Sequence, residues 1–231
     1  MKQTRIKALI WDLDGTLIHF RIDYLRARRA AIKILKDHGI PKKELTITKS
    51  ILDNLIHSIE IFKKKNYSPD EIFQIKKEIN AAVSAIEYEA ALEATKINGI
   101  EDVLKFASKN KLKQAIYTYN THKNAEVSLK TVRLLKYFNV IVGRDDVDNP
   151  KPHKDHLLMI CKKLNVEPLN TIVIGDTYRD IQGALQLGAK SIAIQTPTSK
   201  FSNISTFQKA DIIIKQENIS KELMNSIASF L

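Results

Sequence analysis

The chain has 231 residues, 44% of them hydrophobic and 27% charged, the balance of a globular protein and not of a disordered one. No apolar run approaches the roughly 18 residues of a membrane span, the opening MKQTRIKALIWDLD lacks the apolar stretch of a secretion signal, and one cysteine, Cys161, leaves no intramolecular disulfide or cysteine-held zinc, so a cytoplasmic location is expected. The formal charge of +11 is spread along the chain and carried by lysine more than arginine, which favours a solvated surface over a nucleic-acid face.

The first element is IKALIWD, a nearly continuous apolar run of strand length, as expected of a strand covered on both faces. Residues 20 to about 95 follow without a strand pattern. A helix is expected from Asp23 to Asp37, stopping near Gly39 and Pro41. A second is marked by Leu52, Leu55, Ile59 and Phe62, and a third by Ile72, Ile75, Ile79, Val83, Ile86 and Ala90. Ser68 as N-cap, Pro69 and Glu71 open the third. Such a block is too long for a connecting loop and reads as an inserted helical domain, residues 18–95. Beyond it, the strand-like runs KQAIYTYN, NVIVGRD, TIVIGD, SIAIQT and ADIIIK are interspersed with helical patterns at 101–109, 122–136, 154–164 and 178–187. The alternation predicts an α/β core with a doubly wound parallel sheet, residues 1–17 and 96–231.

Four stretches lie at or just beyond the C-terminal ends of expected strands. They are Asp12-Leu13-Asp14-Gly15-Thr16, Thr118 in IYTYN, Lys151 in NPKPHKD, and Asp176 with Asp180 in GDTYRD. In a doubly wound sheet these ends meet along one edge, where ligands bind. Like charges a few ångströms apart raise each other's pKa unless a cation intervenes. Asp12, Asp14 and Asp176 therefore point to a hard divalent ion, and Mg2+ suits carboxylates, waters and a substrate phosphate. A carboxylate can attack phosphorus, and a second carboxyl can protonate the leaving oxygen. Gly15 allows a sharp turn whose amides, with that of Thr16, can face phosphate oxygens. Thr118 can donate to the same oxygens, Asn120 is a further phosphate contact, and Lys151 offsets the charge.

In these motifs and their order the chain resembles the haloacid dehalogenase superfamily, in particular its phosphoglycolate-phosphatase-like members with a helical cap inserted after the first strand. DLDGT matches the first family motif, IYT the second, Lys151 the third and GDTYRD the fourth. The resemblance implies a Rossmann-like core and Mg2+-dependent hydrolysis of a small phosphate monoester, phosphoglycolate-like or a sugar phosphate, through an aspartyl-phosphate. It makes Asp12 the nucleophile, Asp14 the general acid/base, and Thr118 and Lys151 the phosphate-binding pair. The implied metal ligands are Asp12, the Asp14 carbonyl and Asp176, with Asp180 in support. Asp14 argues for phosphoryl transfer over dehalogenation. Two departures bear on substrate: Ile18-His19 follows DGTL where many relatives carry aspartate and serine, and Tyr119 intervenes between Thr118 and Asn120.

His19 and Arg21, where the chain enters the helical block, are placed as substrate contacts. His153 and His156 read as the solvated start of a helix, and Cys161 as a packing residue. The expected partner is a small phosphorylated metabolite, with neither membrane nor nucleic acid; monomer and dimer both stay open. A phosphomutase of the same superfamily, and a nucleic-acid-end phosphatase or binding protein, are the alternatives.

Overall fold

The computed structural model describes residues 5–19, 21–197, 199 and 203–231. The chain divides into two compact units, one of residues 1–20 and 91–231, the other of 21–90.

The larger unit is built on strand β1 (Ala8–Trp11) and a pair of two-residue strands, β2 (Ile18–His19) and β3 (Thr95–Lys96), which bracket the smaller unit in sequence and pair antiparallel. Five further strands follow: β4 (Lys113–Tyr117), β5 (Val140–Val142), β6 (Thr171–Gly175), β7 (Lys190–Gln195) and β8 (Ile212–Lys215). Six of the eight form one parallel sheet in the order β5-β4-β1-β6-β7-β8. Trp11 pairs in register with Ile116 on one side and Ile174 on the other. The chain therefore builds outward from β1 through β4 to β5, returns beside β1 as β6, and continues outward through β7 to β8. Reversal of strand order opens a crevice beyond the C-terminal ends of the strands flanking β1.

Both sheet faces are covered over the inner strands β4, β1, β6 and β7, which explains why these are apolar almost throughout, whereas the edge strands β5 and β8 are only partly buried. Leu9 and Trp11 point into a cluster with residues of α4 (Ile100–Lys109), α5 (His122–Thr131) and α9 (Ile219–Ala228). Ala8 and Ile10 point into the other, with residues of α6 (Lys154–Leu164) and α7 (Tyr178–Leu187). The buried Trp11 indole keeps a polar partner, donating to Gln114 Oε1 at 3.1 Å, while Gln114 Nε2 donates to the Leu104 carbonyl. The helix expected over 122–136 is shorter. Arg133 adopts a left-handed conformation (φ 60°), the Leu134 amide closes the helix end on the Leu129 carbonyl, and Leu134 is thereby buried.

In the smaller unit, α1 (Tyr24–Asp37), α2 (Ile51–Lys64) and most of α3 (Pro69–Leu92) pack around Ala31, Leu35, Phe62, Ile75 and Ile79. Reciprocal side-chain and backbone bonds between Ser50 and Asp53 start α2, and those between Ser68 and Glu71 start α3. Helix α2 turns Asn54 inward and leaves Leu52 exposed, because Asn54 Nδ2 is held by the carbonyls of Thr46 and Ser50. Among the described residues no helix is long and apolar enough to cross a membrane.

Candidate active site

Three strand ends beside the crevice supply most of the expected residues. Asp12 follows β1, and its amide donates to the Ile174 carbonyl of β6 at 2.8 Å. The next residues fold into a tight loop in which the Gly15 amide donates to the Ile18 carbonyl. Gly15 is required there twice over: its φ is +83°, and a Cβ would come within 2.9 Å of Asp176 Cγ. The loop of the first motif is thus packed directly against the carboxylate that follows β6.

Asp12, Asp176 and Asp180 are all buried, and each offers a carboxylate oxygen within 4.8 Å of the others'. Lys151 enters this group from the loop before α6. Its ammonium pairs with Asp12 Oδ1 and donates to Asp180 Oδ1 at 2.8 Å and to the Tyr117 carbonyl at 2.9 Å, so all three N–H bonds are used. Thr16 is buried and its hydroxyl donates to the other Asp12 oxygen at 3.3 Å. The remaining oxygen of Asp180 accepts from the amide and hydroxyl of Thr177, so Asp180 also caps α7. Burial pushes the Asp12 carboxyl up to about 6, with Lys151 acting against it and Asp180 with it. Burial, then the charges of Asp12 and Asp180, push Asp176 up to about 8. Burial alone would pull Lys151 down, but the two carboxylates outweigh it and hold the ammonium charged.

Beside this group Thr118 is buried at the end of β4, its hydroxyl accepting from the Asn120 amide at 3.0 Å. Asn120 is buried as well; its Oδ1 accepts from the Thr121 amide, whereas its Nδ2 has no partner among the described residues. Asp14 is half-buried. His19 and Arg21 are exposed, Arg21 within the other unit, and neither takes part in the bonds that join the carboxylates and Lys151. Exposed Arg179 lies over the ring of Tyr119.

Several contributors carry no mark in the sequence. Thr196 donates to Asp176 Oδ2 at 3.2 Å, and Ser199 donates to the Asp176 carbonyl at 2.7 Å. His156 corrects the sequence reading, since it is fully buried and not solvated. Its Nδ1 accepts from the Lys151 amide at 3.1 Å, which places the ring proton on Nε2, facing the Val142 carbonyl at 3.0 Å. Its ring meets Tyr117 edge-on, and the Tyr117 ring lies 4.9 Å beneath the Lys151 ammonium. Burial pulls His156 down to about 4, so it stands neutral behind Lys151. His153, by contrast, is exposed and caps α6.

The donor set fits a hard divalent cation. Its groups are oxygens, and three buried carboxylates face one ammonium, an excess of negative charge that is costly in a dry site.

The profile described as haloacid dehalogenase-like hydrolase matches residues 9–194. An N-acetylmuramic acid 6-phosphate phosphatase of Pseudomonas aeruginosa is 26% identical over 200 residues, 84% of each chain. A phosphorylated carbohydrates phosphatase of Thermotoga maritima is 29% identical over 199 residues, 81% of this chain and 84% of its own. Among solved structures, β-phosphoglucomutase of Clostridium difficile superposes with a TM-score of 0.64 at 23% identity, covering 97% of this chain and 99% of that one.

Proposed function

Because the chain belongs to the haloacid dehalogenase-like hydrolase family, we propose that it hydrolyses a small phosphate monoester, a phosphorylated sugar or a phosphoglycolate-like acid, through an aspartyl-phosphate on Asp12. The observation that carries this reading is the buried convergence of Asp12, Asp176 and Asp180 on Lys151 at the reversal point of the sheet. The phosphatases named above support a phosphorylated sugar as the substrate class.

In the first step an oxygen of Asp12 attacks phosphorus and the bond to the ester oxygen breaks, while the Asp14 carboxyl gives that oxygen its proton. In the second, the Asp14 carboxylate takes a proton from water, the water oxygen attacks phosphorus, and the bond to Asp12 breaks. Phosphate leaves and both aspartates return to their starting states. The Thr118 hydroxyl and the Asn120 Nδ2 hydrogens are donors for phosphoryl oxygens, and Lys151 balances charge at Asp12. Asp12, Asp176 and the Asp14 carbonyl would hold Mg2+, which would screen the crowded carboxylates and polarise the phosphoryl group. Asp180 contributes by fixing Lys151 and the start of α7. The helical unit 21–90 is assigned to substrate selection, so shortening it should shift preference among phosphate esters more than turnover of a generic one.

The test is release of phosphate from a generic aryl phosphate with Mg2+ and with chelator. Metal-dependent release from the wild type, reduced by about a thousandfold or more in Asp12→Asn, is expected. No metal-dependent release, or undiminished release from the variant, overturns the reading. Return of the phosphoryl group to a second hydroxyl would use the same groups; incubation with a sugar phosphate should yield free phosphate and no isomerised sugar phosphate.

A further inference from the structure

The opposite, N-terminal edge of the sheet carries a second concavity. A cavity of about 480 Å3 opens where the chain enters β1 and β4, ringed by Arg5, Lys7, Lys111 and Lys113, with Val166 and Leu231 as its accessible apolar wall over the buried Ile6 and Leu112. Its volume falls within the range of small-molecule sites. No acidic side chain lines it. Elsewhere many lysines meet a carboxylate, as in Lys33 with Asp37, Lys130 with Glu126 and Lys190 with Asp211. None of the four cations here takes part in an ion pair among the described residues; the Lys113 ammonium donates only to the Leu164 carbonyl at 2.6 Å.

Four positive side chains held around one hollow, set against the single main-chain carboxylate of Leu231 in the same wall, repel one another, and a cleft of predominantly one sign concentrates field for a counter-charge. A single chloride or phosphate would answer only part of that charge and none of the apolar wall. A ligand with several linked anionic groups and a flat apolar portion answers both. We propose that this cavity binds an organic polyphosphate of the nucleoside triphosphate class, at a site separate from the carboxylate cluster. The triphosphate is taken by Arg5, Lys7, Lys111 and Lys113, and the base lies against Val166 and Leu231. The two sites sit at opposite ends of the same strands, since β1 and β4 lead from this cavity to Asp12 and Thr118.

The test is calorimetric titration of the full chain with ATP in chelator, which keeps divalent metal from the carboxylate cluster. Saturable one-to-one binding is expected, weakened about tenfold or more in the double variant Lys7→Gln/Lys111→Gln and retained in Lys151→Ala. It should also weaken between about 50 mM and about 300 mM salt. Tripolyphosphate should compete and adenosine should not. Lys7 and Lys111 are exposed, so the double variant should melt like the wild type and hydrolyse aryl phosphate at the same rate. Absence of saturable binding, equal binding by the double variant, loss in Lys151→Ala alone, equal binding of adenosine, or binding confined to RNA would each overturn the proposal.

Discussion

His156 shows how one buried side chain can govern a site without reaching the substrate. Its two ring nitrogens are committed, one accepting from Lys151 and one donating to Val142, so protonation would break the bond to the Lys151 amide and charge a buried ring. The folded-state pKa of about 4 lies below the ordinary 6.5, so between these values the unfolded chain binds more protons than the folded one. Stability from this residue is complete above about pH 6.5 and is lost as pH falls through about 4, a loss of about 3 kcal/mol. Urea denaturation at a series of pH values should therefore show the advantage of wild type over His156→Gln shrinking from pH 7 to pH 4. Asp12 and Asp176, whose pKa values are shifted upward, act in the opposite sense but are common to both proteins. Parallel profiles would contradict this. Tyr117 makes a second residue-scale case: its hydroxyl is buried with no hydrogen-bond partner among the described residues, while its ring and carbonyl serve Lys151. Tyr117→Phe should raise stability by about 1 kcal/mol and leave kcat unchanged; a comparable loss of stability would show that the hydroxyl is bonded. Neither role was legible in the chain. A histidine five residues beyond Lys151 carries no periodic signal, and Thr196 meets Asp176 only because β7 lies beside β6.

At the scale of elements, strand ends and helix starts are joined through glycines that leave no room for a side chain. Gly175 ends β6, and a Cβ on it would lie 2.6 Å from Asp180 Cβ. Asp180 would have to leave Lys151 and Thr177 together. Gly175→Ala should cost about 2 kcal/mol or more in urea denaturation and lower kcat at least tenfold; wild-type stability and turnover would refute the packing argument. The four inner strands of the main sheet were legible because burial on both faces writes itself as unbroken apolar runs, and the edge strands β5 and β8 were legible as apolar runs although they are only partly buried. Helix α1 was legible from its stop at Gly39 and Pro41, α2 from its apolar spacing and α3 from both cap and spacing; the Ser50–Asp53 cap of α2 was not read, and Leu52 faces solvent where periodicity placed it with the core stripe. Strands β2 and β3 went unread, since two residues are too few to show a period and the pair forms only across the intervening helical unit in sequence. The C-terminal helix α9 is absent from the expected elements, although Ile219, Leu223 and Ile227 recur at a spacing of four and polar residues 216–218 separate them from the last strand.

Across the whole molecule, the sheet brings together carboxylates more than 160 residues apart in the chain. Four motifs at strand ends were enough to anticipate that meeting, because in a parallel sheet with reversed strand order the end of β1 must neighbour the ends of β4 and β6. What the sequence left open is the opposite edge, where cations spaced far apart along the chain gather around one cavity only when β1 and β4 are aligned. The excess of +11 is thus not uniform in effect: carboxylates predominate at one edge of the sheet and cations ring a cavity at the other. The central claim is that Asp12 carries the phosphoryl group during turnover. Its most direct test is acid quenching during steady-state hydrolysis, borohydride reduction of any acyl phosphate, and mass spectrometry of the peptides. The account predicts reduction to homoserine at Asp12 alone, dependent on substrate and absent in Asp12→Asn. Turnover with an unmodified Asp12, or with the modification at another carboxylate, would contradict it.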